Sequence, residues 1–345
     1  MGALAFCVAE LGQRGIESLQ PVHTDKVLGF RPVAGPETDE AGFRNHLVLT
    51  KAEIVTIGDS FTYGKSAPID DTWPSVLARL TKVPVYNMAV QGYSPPQYFA
   101  LLHDAKLLQP KILIAGFNVG NDLLETQQVV YGNEFWGEFR AKQQSVTENK
   151  IASTSHESAG ALSTVKRVLL AHSRAFAHLG EVSRSLRDFL KNPTQKRKKE
   201  LLVEINEVGV ETTLQPDRPT PSMDLSRTEV KEGWRLAQIF IKKIKAETEN
   251  TNTYFVLLLI PTTEDIYIEY YRETGKKMPD ALLPYATLSQ HTWEEIRQFC
   301  KEEQILCITP LSDLARDLEV GHRVYLNGDE HATARGYQIV GESVY

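Results

Sequence analysis

Long apolar runs, an excess of basic charge and a cysteine framework are all missing from this chain of 345 residues. The apolar run at residues 3–9 is far short of the about 20 residues that cross a bilayer, and it lacks the basic flank of a signal peptide. Two readings of it stand: the tail of a membrane anchor that precedes this sequence, or an N-terminal helix packed on the core. A net charge of -6 supplies no basic field to hold phosphate backbones, so nucleic acid is not an expected partner. Cys7, Cys300 and Cys307 are few and form no Cys-x-x-Cys pair, so neither a disulfide framework nor a zinc ribbon is expected, and the redox compartment stays open. The histidines include no His-Glu-x-x-His, and His172 and His178 are not spaced for one helix face. No metal and no cofactor is expected.

What is present is enough apolar residue, 42%, to bury a full core and still carry an insertion. Short β-branched or apolar runs at 53–58, 83–89, 112–117, 254–260 and 305–309 read as strands, the first halted by Gly58 and the last two closed by Pro261 and Pro310. Between them, 72–80, 95–108, 226–245 and 291–303 carry helical periodicity or start signals, and 332–345 reads as a last amphipathic helix clipped at its end. Strands alternating with helices predict an α/β fold on a mainly parallel five-stranded sheet covered on both faces.

In open sheets of this kind, ligands bind outside the carboxyl ends of the strands. The loops there are Gly58-Asp59-Ser60-Phe61-Thr62, Asn87-Met88-Ala89-Val90-Gln91-Gly92, Asn118-Val119-Gly120-Asn121-Asp122 and, before the last helix, Asn327-Gly328-Asp329-Glu330-His331. Acyl transfer needs a nucleophile, a base in hydrogen-bond reach, a carboxylate that orients the base and donors for the oxyanion. Ser60 supplies the hydroxyl, His331 the base and Asp329 the carboxylate, as in other Ser-His-Asp systems. The Ser60 and Gly92 backbone N–H groups and the Asn121 side-chain amide are the candidate oxyanion donors. Glycine at 92 leaves no Cβ between backbone and substrate. Asp122 has no proton-transfer role in this scheme and reads as structural.

These four blocks resemble those of the SGNH (GDSL-like) hydrolases. Gly58-Asp59-Ser60-Phe61-Thr62 is similar to the first block, Asn87 through Gly92 to the second, Gly120-Asn121-Asp122 to the third and Asp329-Glu330-His331 to the last. The resemblance covers roughly 41–128 and 226–345. It implies a flavodoxin-like three-layer sandwich, a carboxylic ester hydrolase of the esterase or lipase-like acylhydrolase kind, and the roles given above for Ser60, Gly92, Asn121, Asp329 and His331. Two departures stand out. Val119 occupies the position where the third block usually begins with glycine, and the last block is Asp-x-His where Asp-x-x-His is common. The shorter spacing also occurs in relatives resembling polysaccharide O-acetyltransferases.

Residues 1–40 therefore read as a leading segment, and 41–345 as a hydrolase domain interrupted by a largely helical insertion, or cap, at 126–225. That insertion has a Ser/Thr/Glu-rich stretch at 145–163, a helical stretch at 162–190 and a charge run at 196–200 that reads as a solvated face. Tyr131, Phe135, Trp136 and Phe139 fall at helical spacing, either packing the cap or lining an acyl pocket.

Two rival motifs, a nucleotide-binding loop and a nucleophile elbow, fail. Gly58 and Gly64 enclose five residues where a P-loop has four, and Pro68 sits where its helix would run. No Gly-x-Ser-x-Gly elbow surrounds Ser60. The expectation is a serine-dependent hydrolase of small-molecule or carbohydrate esters. Carbohydrate O-acetyl transfer or deacetylation and a non-catalytic carbohydrate-binding relative are the alternatives.

Overall fold

The computed structural model describes residues 22–141 and 201–345. The N-terminal apolar run and the stretches at 145–163, 162–190 and 196–200 lie outside the described residues.

The core is a sheet of five parallel strands, β3 (Ile54–Ile57), β4 (Val85–Asn87), β5 (Ile112–Asn118), β8 (Tyr254–Ile260) and β9 (Leu306–Ile308), in the order β4-β3-β5-β8-β9. Strand order reverses between β3 and β5, whose carboxyl ends flank the crevice where open α/β sheets bind ligands. This is the three-layer α/β sandwich expected, and every strand of the sheet falls within a run read from the sequence except β5, which extends one residue further, to Asn118. Alternation along each strand feeds two cores. Val55, Ile57, Leu113, Phe117, Leu257 and Leu259 face one, Ile54, Ile114, Leu258 and Ile260 the other. Each such fully buried Ile, Leu or Phe contributes about 1.5–3 kcal/mol relative to exposure.

One face is covered by α3 (Pro95–Leu107), α6 (Thr228–Glu249) and α8 (Leu283–Glu302), the other by α2 (Trp73–Thr81), α7 (Thr263–Thr274), α9 (Leu311–Glu319) and α10 (Ala334–Val344). Local signals start these helices. Ser94 and Gln97 form a capping box ahead of Pro95, Thr262 and Asp265 another, and the Thr333 hydroxyl accepts from Gly336 N–H. Helix α8 begins eight residues before 291, because Pro284 stands in its first turn, where a missing N–H costs nothing.

Cys300 and Cys307 form a disulfide, a correction to the reading from their number alone. Helix α8 turns into β9 within three residues, which brings the two Cα atoms to 6.1 Å.

Two hairpins were not read from the sequence. The first is β1 (Val22–Asp25) with β2 (Gly29–Pro32); the second is β6 (Val203–Glu207) with β7 (Val210–Leu214). The second lies within 126–225, so the described part of the insertion is not purely helical; it also holds the short α5 (Thr220–Met223). The aromatic residues near 131–139 share no single helix, because α4 (Asp122–Gly132) stops before a 3-10 turn at Glu134–Phe139. Trp136 and Phe139 pack on Phe240 of α6, while Tyr131 and Phe135 are exposed. Of the two readings of this stripe, packing is the one the contacts support.

Candidate active site

The first loop is a tight turn carried by α1 (Ser60–Tyr63), one turn long. Asp59 caps it by accepting from Phe61 N–H at 2.9 Å, and Gly64 closes it at φ 83°. Arg44, almost fully buried, clamps the end of the turn. Its guanidinium donates to the Tyr63, Gly64 and Ala67 carbonyls and stacks 4.9 Å from the Tyr63 ring. Thr62 wedges the turn onto the sheet. A Cβ added at Gly58 or at Gly116 of β5 would lie 2.3 or 2.1 Å from Thr62 Oγ1, so both strands need glycine beneath it.

His331 reaches this turn from 271 residues away, with Nε2 2.8 Å from Ser60 Oγ. Its other ring nitrogen, Nδ1, is 2.5 Å from Asp329 Oδ1. A carboxylate so close assigns the proton to Nδ1 and leaves Nε2 to accept from the Ser60 hydroxyl. The Asp-x-His spacing works because the chain folds back at once: Leu326 N–H donates to His331 O, Tyr325 bridges Ala332, and Asp329 Oδ1 also accepts His331 N–H at 3.1 Å. The hydrogen bond from His331 holds the Asp329 carboxyl down at about 2. The hairpin β6–β7 buttresses this turn, with Thr213 N–H donating to Asn327 Oδ1 at 2.8 Å.

The second loop is tied to the first by Asn87, whose Nδ2 donates to Thr62 O while its Oδ1 accepts from Ala89 N–H. Val90 N–H donates to Gly58 O, and the chain then reaches Gly92 at φ 78°. A Cβ at Gly92 would meet only Phe30 at 3.9 Å. Among protein neighbours nothing crowds that position, and the left-handed backbone is what favours glycine there.

Asn121 stands at the N-cap of α4, with Nδ2 3.5 Å from Asp59 Oδ2 and a buried Oδ1 that has no partner. Asn118 Nδ2 donates to the same Asp59 oxygen at 3.1 Å. Val119, at the departure from the third block, continues the β5–β8 ladder through Ile260 O and is fully buried, a place that needs no glycine. Asp122 accepts from Asn118 N–H and Tyr98 OH, which fits the structural role expected.

Sequence reading missed Asp59 as a positioning group, Arg44, and the carboxyl of Glu125. Burial pushes Asp59 and Asp122 upward, and Glu125 up to about 8. Of these only Asp59, within the Gly58-Asp59-Ser60 block, carried a sequence signal. Among the described residues, no group of three His, Cys, Asp or Glu is placed to hold a metal ion. No described helix is long and apolar enough to cross a membrane.

Three cavities are lined by residues of these loops and their neighbours. One of about 710 Å³ is lined by Arg44, Tyr63, Lys65 and Gln91, and one of about 330 Å³ by Phe30, Gly92, Glu125 and Val129. The third, of about 20 Å³, lies against Asp329 and Glu264.

No family model and no curated protein matches the chain. Solved structures similar to it include a G-D-S-L family protein from Desulfitobacterium hafniense DCB-2 (15% identity, 86% of this chain and 98% of that one, TM-score 0.38). A catalytic mutant of Axe2, an acetylxylan esterase from Geobacillus stearothermophilus, is similar at 10% identity over 86% and 94% of the two chains, with TM-score 0.42. TesA is similar at 11% identity over 84% and 94%, with TM-score 0.37. The function of this chain is argued below from its own geometry.

Proposed function

We propose that this chain is a serine-dependent carboxylic ester hydrolase acting through an acyl-enzyme. The observation that carries the reading is the chain of contacts Ser60 Oγ to His331 Nε2 at 2.8 Å and His331 Nδ1 to Asp329 at 2.5 Å, at the carboxyl ends of β3 and β5. In this reading Ser60 Oγ attacks the ester carbonyl as its proton passes to Nε2. The Ser60 and Gly92 N–H groups and Asn121 Nδ2 face the oxyanion. Collapse of the tetrahedral intermediate expels the alcohol, which takes the proton from Nε2. Water, deprotonated by the same nitrogen, then releases the acid and restores Ser60. Asp329 stays ionised throughout and holds the imidazole tautomer.

The cavity of about 710 Å³ beside Tyr63 and Gln91 has room for an alcohol moiety as large as a sugar. The same room would admit a carbohydrate acceptor in place of water, which keeps acetyl transfer as the second reading. Turnover of p-nitrophenyl acetate, with and without sugar acceptors, tests both. Ser60→Ala is expected to lower kcat by about 10⁵- to 10⁶-fold in a protein that still folds. A fluorophosphonate that labels a residue other than Ser60 would overturn the assignment.

A further inference from the structure

The hairpin β6–β7 is no part of the central sheet, yet it meets the segment that carries Asp329 and His331. Its two-residue turn explains how. Val208 at φ 48° and Gly209 at φ 83° are both left-handed, as a type I′ turn requires, and the pairs Glu207↔Val210, Ile205↔Thr212 and Val203↔Leu214 follow. In such a ladder the pair beside the turn exchanges backbone hydrogen bonds, and so does every second pair after it. Glu211 and Thr213 fall between, so their backbone groups point away from β6, to the open edge of β7. Two side chains from the segment before His331 occupy that edge. Arg323 donates to Glu211 O at 2.7 Å, and Asn327 Oδ1 accepts from Thr213 N–H at 2.8 Å. We infer that Asn327 is a positioning residue for the proposed reaction, through which the hairpin of the insertion holds the Asp329–His331 turn against Ser60. Resting on the ester-hydrolase reading, this gives the insertion a part in setting the rate.

Residues 326–331 form an excursion closed at its base. Tyr325 bridges Ala332, Leu326 N–H donates to His331 O, and the Thr333 hydroxyl donates to Arg323 O at 2.8 Å. Those bonds fix the base and leave the tip, Asn327 and the left-handed Gly328, exposed. A tip that rocks carries Asp329 with it and lengthens the contact that orients His331. Asn327 restrains the tip from outside the excursion, against a hairpin that is itself anchored. Tyr267 OH on α7 donates to Thr212 Oγ1 at 2.6 Å, Gln215 N–H donates to Glu264 Oε1 at 2.9 Å, and Val210 and Leu214 share a core with Val324, Tyr325 and Ala332. Between hairpin and tip lies the cavity of about 20 Å³, room for about one water molecule, so the two surfaces are already close. A catalytic group displaced by about 1 Å can lose about 10²-fold in rate. One exposed hydrogen bond restrains the tip without locking it, and a smaller factor, about tenfold, is expected from its loss.

The test is made with p-nitrophenyl acetate in about 0.15 M salt. Asn327→Ala is expected to lower kcat about tenfold with melting temperature little changed. Acylation and deacylation both use His331, so they slow together and KM stays. Asn327→Asp keeps an acceptor for Thr213 N–H, its added charge is exposed and screened, and kcat is expected within about twofold of wild type. Thr213→Pro removes the donor instead, at an edge position where the ladder loses no bond. It is expected to match Asn327→Ala, and the double variant to be no slower than either, because both remove the same contact. Unchanged kcat in Asn327→Ala, losses that multiply in the double variant, or an Asn327→Asp as slow as Asn327→Ala overturns the inference. If Thr213→Pro does not fold, the two substitutions at 327 decide alone. Loss of the hydrolase reading shows elsewhere, as wild-type turnover that survives Ser60→Ala.

Discussion

The two ends of the sheet make a useful comparison. At the amino end of β8 and β9 there is a cavity of about 470 Å³, larger than the one beside Gly92, lined by Lys245, Thr248, Thr253, Tyr254, Gln304 and Leu306. There Lys245 donates to Glu303 O and the Thr253 hydroxyl to Pro110 O, and none of the lining residues has an orphaned buried atom. At the carboxyl end, Asn121 Oδ1, Glu125 Oε2, Thr62 Oγ1 and Arg44 Nε are all buried without a partner. Polar atoms left idle inside a fold cost stability, and although six more among the described residues stand on other elements, four around the Ser60 turn against none at the amino-end cavity mark the turn more clearly than cavity volume does.

The comparison breaks if the carboxyl end tolerates change. Asp329→Asn removes the carboxylate that fixes the His331 tautomer, and kcat/KM is expected to fall on the order of 10³- to 10⁴-fold. Steady-state kinetics from pH 5 to 9 check this. Because Asp329 is held at about 2, its own protonation makes no contribution in that range. Wild-type rates in the variant would leave a Ser-His pair as the working unit.

A smaller loss is expected from Asn121→Ala: about 10²- to 10³-fold in kcat with KM little changed, since an oxyanion donor acts on the transition state more than on bound substrate. Asn121 also contacts Asp59. If it only ties loops together, the melting temperature falls while kcat holds, so both are measured on the same preparation.

The smallest effect belongs to the amino end. Thr253→Val deletes the donor to Pro110 O and is expected to cost about 1 kcal/mol of stability, a few degrees of melting temperature, with kcat/KM unchanged. A fall in kcat/KM there would erase the distinction between the two ends.

How much of this was legible in the sequence depended on range. The strands 54–57 and 254–260 were legible because buried parallel strands read as continuous apolar runs. Helix α7 was not, since its tyrosines and isoleucines alternate as readily as they follow a helical period. The hairpin β6–β7 sits in a segment whose aligned chemistry appears only once Thr213 meets Asn327, 114 residues on. Ser60, Gly92, Asn121, Asp329 and His331 were visible because each stands in a short loop after an apolar run or before the last helix. Arg44 and Glu125 were not. An arginine acquires meaning as a clamp only from the carbonyls of 63, 64 and 67 that it reaches, and a glutamate in a first helical turn reads as an ordinary response to the helix dipole.

Thr62 has a consequence for how this protein can diverge. Its side chain occupies space that two other positions, Gly58 and Gly116, must vacate, so the three residues form a single unit of inheritance. A related sequence that gains alanine at 116 is expected to have exchanged Thr62 for alanine or glycine first, and one that gains alanine at 58 to have exchanged it for glycine, because the Thr62 Cβ alone already lies 2.6 Å from a methyl at 58. The order of those substitutions, more than their identity, then decides which descendants keep the Ser60 turn on the sheet.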